Sequence, residues 1–225
     1  MRFISLLGIS GAGSSKEEEM RIGRTVGLAF AVAVAASAIA GASSAMATTT
    51  ELCKVHQEPC QAANHWTEIH VVSVGKASII TSIANVECNA LFKAMLLALA
   101  SPQIAHETAN VWTECAIKEG SACKVTQTAL GLYRLLKTVL NLGTVATAGR
   151  RAKVECGAFM NCEYGEEETE TPIGTIEGAG HQAGSGHGMF NIGPMPLKKI
   201  GGFLCPATAE FRALYEPLAD FFVVA

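Results

Sequence analysis

The stretch WTECAIKEGSACKVTQ, residues 112–127, is the clearest indication of the fold of this chain. A polar turn at residues 118–121 separates two runs of strand-prone residues, and positions 124–126 alternate polar with apolar side chains. Each arm carries one cysteine. The stretch therefore predicts a β-hairpin.

A second stretch, AKVECGAFMNCEY at residues 152–164, has the same form, with Gly157 and Asn161 available for the bend. Further strand candidates are separated by turn residues: 68–74, 76–83, 143–148, 188–192, 210–215 and 221–224. Two hairpins and several short strands at these spacings predict a mainly β chain. The expected fold is a single antiparallel domain, a β-sandwich or a barrel-like sheet.

Two leucine-rich stretches favour helices instead. One set of apolar residues recurs at helical spacing: Leu132, Leu135, Leu136, Val139 and Leu140. Another precedes the breaker Ser101-Pro102: Leu91, Phe92, Met95, Leu96 and Leu99. Periodicity alone predicts short helices at about 89–100 and 130–142, and the alternative fold class is therefore α+β.

The N-terminal region resembles a targeting signal more than a folded segment. Residues 20–24 form a short basic segment, and residues 25–47 are uncharged and rich in Ala and Val. Together they predict a secretory signal peptide over residues 20–47. The alternative is an uncleaved membrane anchor at residues 25–47, since the length permits a span.

The remainder of the chain is expected to be one exported domain, residues 48–225. Residues 1–19 are interpreted as an upstream extension, with translation starting at Met20. Residues 48–225 carry 13 basic and 17 acidic residues, a net charge of −4, and no cluster of Lys and Arg. This charge makes nucleic acid a poor partner. A cell-surface or extracellular partner is expected, with no membrane span after signal cleavage.

All eight cysteines lie in the predicted exported domain: Cys53, Cys60, Cys88, Cys115, Cys123, Cys156, Cys162 and Cys205. An even number implies four disulfides, because nothing outside the cell keeps thiols reduced. Zinc sites require closer pairs than these, separated by about two to four residues. The cysteines therefore predict bridges rather than metal ligands, and four bridges leave no thiol as a nucleophile.

The sequence does not decide which cysteine bonds to which, since eight cysteines allow on the order of a hundred connectivities. Proximity in sequence favours three local pairs, which leaves Cys88 to meet Cys205. The local pairs are Cys53–Cys60, Cys115–Cys123 and Cys156–Cys162. Chain entropy assigns about 2.5 kcal/mol to each short loop and about 5 kcal/mol to the long one. The long-range bridge is expected to matter most.

Several segments resemble a family of uncharacterised secreted proteins from high-GC Gram-positive bacteria. The resemblance covers most of residues 48–225 and lies in residues 52–60, 86–88, the 115/123 cysteine pair, 153–162 and GGFLCP at 201–206. It implies a cysteine-rich, mainly β protein with no known activity. The chain departs from the family pattern at residues 89–110 and 130–142, which are richer in leucine here.

Few residues indicate chemistry. The loop GAGHQAGSGHG, residues 178–188, contains His181 and His187 and could hold a metal or a phosphate. Its glycine spacing is wrong for a dinucleotide loop, so a flexible surface loop is favoured. Four other histidines occur without a metal-binding motif and are interpreted as surface or strand residues: His56, His65, His70 and His106.

An acidic run and two tryptophans complete the candidates. The run lacks the alternating Asp/Asn spacing of a calcium loop and is interpreted as a solvated turn: Glu163, Glu166, Glu167, Glu168 and Glu170. Trp66 and Trp112 could stack on sugar rings, although core packing is favoured. The sequence therefore predicts no catalytic residue, no metal site and no cofactor.

Two functions remain from these observations. The first is a secreted, non-enzymatic extracellular protein, structural or adhesive, that presents loops to a partner. The second is a secreted hydrolase or carbohydrate-binding protein whose site is assembled from distant residues. A concave pocket with histidines or carboxylates within hydrogen-bond reach would favour the second function.

Overall fold

The computed structural model describes residues 50–97, 103–118, 120–139, 141–166, 170–181 and 186–224. These residues form fourteen β-strands and one 3-10 turn at Ala62–Asn64. The strands are β1 (Glu51–Cys53), β2 (Glu68–Ser73), β3 (Ala77–Ile80), β4 (Asn85–Leu97), β5 (Ile104–Ile117), β6 (Cys123–Ala129), β7 (Leu132–Val139), β8 (Leu142–Ala148), β9 (Arg151–Cys156), β10 (Met160–Gly165), β11 (Thr171–Gly178), β12 (Gly188–Gly201), β13 (Thr208–Pro217) and β14 (Phe222–Val224). The mainly β fold class is confirmed.

Twelve of the strands form one antiparallel barrel with eight strand positions. Four positions are single long strands, β4, β5, β12 and β13, and each of the others consists of two strands in line: β2–β3, β6–β7, β8–β9 and β10–β11. The ring closes because β13 and β4 each pair with both β2 and β3. Each position neighbours the next along the chain, which is the topology of an up-and-down barrel.

The two ends of the barrel differ. Four connections between strands lie at one end, which we call the upper end: residues 81–84, the described residues 118 and 120–122, 157–159 and 202–207. At the opposite, lower end, β1 pairs with β14. The Leu52 N–H donates to Gln103 Oε1 at 2.9 Å, and the Val223 N–H donates to Asn141 Oδ1 at 2.9 Å. This pair of short strands is thereby held against the lower end.

The two leucine-rich stretches are strands where they are described, so the α+β alternative is wrong there. In β4 the buried side chains alternate with less buried ones, with Val86, Cys88 and Ala90 inside. Met95 and Leu97 point outward and are exposed. This strand has apolar residues on both faces, so its sequence does not alternate between apolar and polar residues as a half-buried strand usually does. The apolar residues then happen to match the spacing of a helix. Residues 98–100 and 140 lie outside the described residues.

All eight cysteines form disulfides, and one of the four pairings expected from proximity is correct. The bridges are Cys53–Cys60, Cys88–Cys115, Cys123–Cys156 and Cys162–Cys205. The expected pairs Cys115–Cys123, Cys156–Cys162 and Cys88–Cys205 are wrong.

Strand register explains the difference. In the β9–β10 hairpin, Cys156 lies opposite Met160 and Cys162 lies opposite Val154, so the two cysteines do not face each other. Cys156 instead lies opposite Cys123 on β6, the other neighbour of β9, with 4.2 Å between their Cα atoms. Every barrel strand has two neighbours, and proximity in sequence indicates only one of them.

Residues 1–49 lie outside the described residues, and so do the expected extension at 1–19, signal at 20–47 and anchor at 25–47. In the described part of the chain, no helix has the length and apolar character needed to cross a membrane. Four disulfides indicate an oxidising environment.

The connectivity predicts how stability divides among the bridges. Three of them close loops with separations of 27, 33 and 43 residues, against 7 for Cys53–Cys60. Replacing both cysteines of a pair by alanine should cost about 3.5–4 kcal/mol for each long bridge and about 2.4 kcal/mol for the short one. Denaturant unfolding of the four double variants measures this.

A non-reducing peptide map is the companion measurement. It should contain a fragment that links Cys162 to Cys205, and no fragment that links Cys88 to Cys205. The reverse result, or one double variant far less stable than the other three, would contradict the connectivity.

Candidate functional site

The barrel encloses a charged cluster centred on Arg150. Its guanidinium lies 5.7 Å from the ring centroid of Tyr133 and 5.3 Å from that of Phe211. Arg150 Nε lies 3.5 Å from Glu107 Oε2, and both side chains are buried. A buried cation of this kind requires a compensating charge, and Glu107 supplies it.

Breaks in the strands make room for this cluster. Arg150 follows β8 and precedes β9, and Gly131 lies in the corresponding break between β6 and β7. The Gly131 N–H donates to Glu107 Oε2 at 2.7 Å, and the Glu107 N–H donates to the Gly131 carbonyl at 3.0 Å. A Cβ atom at position 131 would collide with Arg150 Cγ. Only glycine therefore fits beside the ion pair.

Burial shifts the ionisation of the groups around Arg150. It raises the pKa of Tyr215 to about 12 and that of Tyr133 well above its usual value, in both cases against the opposing effect of the Arg150 charge. Burial also raises the pKa of Glu166. For Arg150 itself, burial disfavours the charge, but Tyr133 and Glu107 hold its pKa above the usual range. Arg150 therefore remains a cation, and the cluster is best explained as internal support.

An apolar cavity lies on the lower side of this cluster. It is lined by side chains that include Val71, Phe92, Leu135, Ile176 and Tyr215, and its volume is about 60 Å³. A single water requires roughly 10–15 Å³ by this measure. The cavity has room for a few water-sized groups, so it does not make the barrel interior a ligand pocket by itself.

The upper end exposes large apolar side chains on three of its four turns. Phe203 is 87% exposed and Leu204 is 79% exposed, both on the turn after β12. Phe159 on the β9–β10 turn and Ile83 on the β3–β4 turn are each 56% exposed. Scattered apolar residues are normal on a protein surface, and Leu218, Met95 and Val111 are exposed elsewhere. Phe203 and Leu204 stand out because they are the most exposed large apolar side chains in the described part of the chain.

The turn that carries Phe203 and Leu204 is held in place. The Cys162–Cys205 bridge ties it to β10. Gly202 has a φ of +102°, and a Cβ there would collide with the Asn161 carbonyl oxygen. Leu204 adopts a left-handed φ of 61°, a conformation that costs a non-glycine residue about 1–2 kcal/mol. The turn is therefore fixed with both apolar side chains in solvent.

A groove of about 340 Å³ lies at the lower end, between the loop before β2 and the residues after β13. Its lining includes Lys54, Trp66, Glu68 and His70. Lys54 Nζ lies 5.5 Å from the centroid of the Trp66 ring, and His70 Nε2 lies 2.8 Å from Glu68 Oε1. We call this the Trp66 groove.

The histidines singled out in the sequence do not converge on one site. His65 is buried, with Nε2 3.0 Å from the Cys60 carbonyl oxygen and 3.4 Å from Glu51 Oε2. Glu51, Cys60 and His65 come close enough to suit a metal ion, but Cys60 is in a disulfide and provides no thiolate.

The remaining histidines have different contacts. His187 Nδ1 pairs with Asp220 on the surface, and His56 stacks on Phe222 with the ring centroids 5.4 Å apart. His106 is exposed on β5, and His181 follows β11. Of the histidines in the described part of the chain, His70 is the one that meets a carboxylate, Glu68, in a groove, which is the arrangement expected for the second function.

The acidic run is dispersed in the same way. Thr128 donates a hydrogen bond to Glu163 at 2.7 Å, Glu166 lies near the Arg150 cluster, and Glu170 pairs with Arg134 at 2.9 Å. Glu167 and Glu168 lie outside the described residues. The described carboxylates therefore do not form a shared calcium site.

The tryptophans have separate environments. Trp112 is half-buried and packs against the core, edge to face with Phe211 at 5.7 Å, as the core-packing interpretation predicts. Trp66 packs against the core and also lines its groove.

Sequence reasoning missed the Arg150 cluster and the exposed pair at 203–204. No local pattern indicates that Arg150 faces inward, because the strand breaks that turn it inside come from the whole barrel. The second site did leave a signal: GGFLCP places two large apolar residues between glycines and a Cys-Pro step, where a turn rather than a strand is expected.

Comparison with known proteins matches this chain to no family model, no curated protein and no solved structure. The resemblance to secreted cysteine-rich bacterial proteins therefore stays a prediction. Function has to be argued from the chain's own geometry.

Alkaline titration tests the buried interior, because burial raises the pKa of all three tyrosines, Tyr133, Tyr164 and Tyr215. A raised pKa means that their contribution to stability is fully present below the unfolded value of about 10. It is lost as the pH rises through the folded value, about 12 for Tyr215. Phenolate absorbance at about pH 10.5 should therefore be low in the folded protein and high in guanidinium. Equal absorbance in the two states would contradict the buried arrangement.

Gly131→Ala tests the packing around Arg150. The added methyl group must displace Arg150, and overpacking of this kind costs about 2–3 kcal/mol. Gly201→Ala is the matched control, since its Cβ would meet no atom nearer than 3.7 Å and needs no unusual φ. Denaturant unfolding should show a clear loss for the first variant and almost none for the second. Equal stabilities would contradict the proposed fit.

Proposed function

We propose that this chain is a secreted, non-enzymatic binding protein that contacts an extracellular partner through the turns at the upper end of its barrel. The observation that carries the proposal is the exposure of Phe203 and Leu204, 87% and 79%, on a turn tied to β10 by Cys162–Cys205. Phe159 and Ile83, each 56% exposed, lie on the two neighbouring turns at the same end of the barrel. The resemblance to secreted cysteine-rich proteins is consistent with this role.

The energetics favour burial of this surface on a partner. Full burial of a Phe or Leu side chain is worth about 1.5–3 kcal/mol, and a large rigid side chain loses little conformational freedom when it binds. The fixed turn also favours binding, because an ordered loop loses less conformational entropy on association than a disordered one. A few such side chains are enough for adhesion when many molecules act together.

The scaffold supports a role outside the cell. Closing the sheet into a barrel removes strand edges that would otherwise pair with other chains, and three bridges join separate strands or loops. Such cross-links keep a small domain folded in an oxidising medium. The predicted signal at residues 20–47 supplies the route of export.

The double variant Phe203→Ser/Leu204→Ser tests the proposal. It removes the two most exposed apolar side chains without touching the core, so the free energy of unfolding should stay unchanged. The cell-associated fraction of the exported protein should fall at least tenfold, since a tenfold change needs only about 1.4 kcal/mol of lost contact energy and each buried side chain is worth that much or more. Immunodetection in washed cells and in the culture medium measures the distribution.

Val111→Ser is the matched control, because Val111 is 49% exposed on β5, in the barrel wall, and belongs neither to the upper turns nor to the lining of the Trp66 groove. This variant should distribute as the unmodified protein does. An unmodified protein found only in the medium, or equal retention of both variants on cells, would show that the upper turns are not the contact surface.

A further inference from the structure

The Trp66 groove is separate from the upper turns and has the composition of a small-molecule site. Its volume of about 340 Å³ falls within the range of roughly 300–1,000 Å³ that is usual for such sites. Apolar and polar side chains line it together. We propose that this groove binds a neutral saccharide.

The apolar lining suits the carbon-bound hydrogens of a sugar ring. Trp66 is half-buried, and its Nε1 is inaccessible to solvent, so the exposed part of the indole consists of carbon atoms. Pro217 and the exposed Leu218 also line the groove. Carbon atoms of aromatic and aliphatic side chains provide apolar contacts. Such contacts orient a ligand that has C–H groups on one face, as a sugar ring does.

The polar lining suits hydroxyl groups and does not select an anion. Glu68 is 54% exposed, so its carboxylate is available to accept hydrogen bonds from hydroxyl groups. Lys54 Nζ, a hydrogen-bond donor, lies over one face of the indole ring, 5.5 Å from its centroid. One lysine and one glutamate offset each other in charge, so the groove offers no net attraction to a phosphate or a sulfate. A neutral, hydroxyl-rich ligand matches this balance.

The groove is preorganised by its backbone. The Lys54 N–H donates to the Asn64 carbonyl at 2.8 Å, and the Trp66 N–H donates to the Leu52 carbonyl at 3.2 Å. The Cys53–Cys60 bridge closes the loop that carries Lys54. On the opposite side, the Leu218 N–H donates to the His70 carbonyl at 3.1 Å. A site already held open in this way pays less entropy on binding.

The chain's two tryptophans allow a sharp test. Trp66 lines the groove, whereas Trp112 packs against the core. Titration with the trisaccharides maltotriose, cellotriose and chitotriose should change the fluorescence of the native protein with at least one of them. Trp112→Phe should retain that change, and Trp66→Phe should abolish it. Calorimetry with the same sugar measures binding independently of fluorescence.

Glu68→Gln separates loss of binding from loss of folding, because the Glu68 side chain is largely exposed. It should raise the dissociation constant about tenfold, the effect of weakening a hydrogen bond to a charged group. Glu114→Gln, an exposed carboxylate on β5, should leave the constant unchanged.

The proposal is overturned if none of the three sugars binds at millimolar concentration, or if Trp66→Phe and Glu68→Gln bind as the native protein does. Phe203→Ser/Leu204→Ser should bind the sugar normally. Failure at the groove is therefore distinguishable from failure of the proposed contact through the upper turns.

Discussion

The ion pair between Arg150 and Glu107 is the interaction on which the rest of the barrel depends. A guanidinium inside a barrel needs a negatively charged group next to it, because water does not solvate it there and cannot offset the cost of burial. The carboxylate does this from β5, and the N–H of Gly131 donates to the same carboxylate. Arg150 and Gly131 both lie in breaks between two strands that share one barrel position. The breaks in the strands and the inward-facing charge are therefore parts of the same local structure. Tyr133 and Phe211 then pack over the cation.

Around this centre the two ends of the barrel take different roles. At the lower end, β1 and β14 are hydrogen-bonded to Gln103 and Asn141, and the loop closed by Cys53–Cys60 carries Lys54 into the Trp66 groove. At the upper end, apolar side chains remain in solvent on fixed turns. The Cys162–Cys205 bridge contributes to the stability of the fold and also sets the position of one exposed turn.

Local patterns predicted the β class and the second hairpin well. The bend at 157–159 joins β9 and β10, which pair along their length, whereas β5 and β6 are linked near their turn by a single bridge, Ala116 to Ala122. The helices at 89–100 and 130–142 were wrong where the chain is described, because a strand with apolar residues on both faces loses its period of two. The cysteine pairing failed for a related reason: β9 has a neighbour on each side, and the partner of Cys156 is on β6, not on the adjacent β10. The sequence indicated the two candidate surfaces only weakly. Trp66 pointed to the groove, and the segment GGFLCP pointed to the exposed upper turn.

The sequence by itself determined the composition of this protein's strands and turns, the number of cysteines available for bridges and an expected route of export. These follow from short-range physics: side-chain alternation, turn propensity and the oxidation of paired thiols. Only the tertiary structure decided which cysteines meet, that Arg150 faces inward and that Lys54, Trp66 and Glu68 share a groove. Those outcomes depend on register and closure of the whole barrel, since a shift of one residue in any strand turns its inward side chains outward.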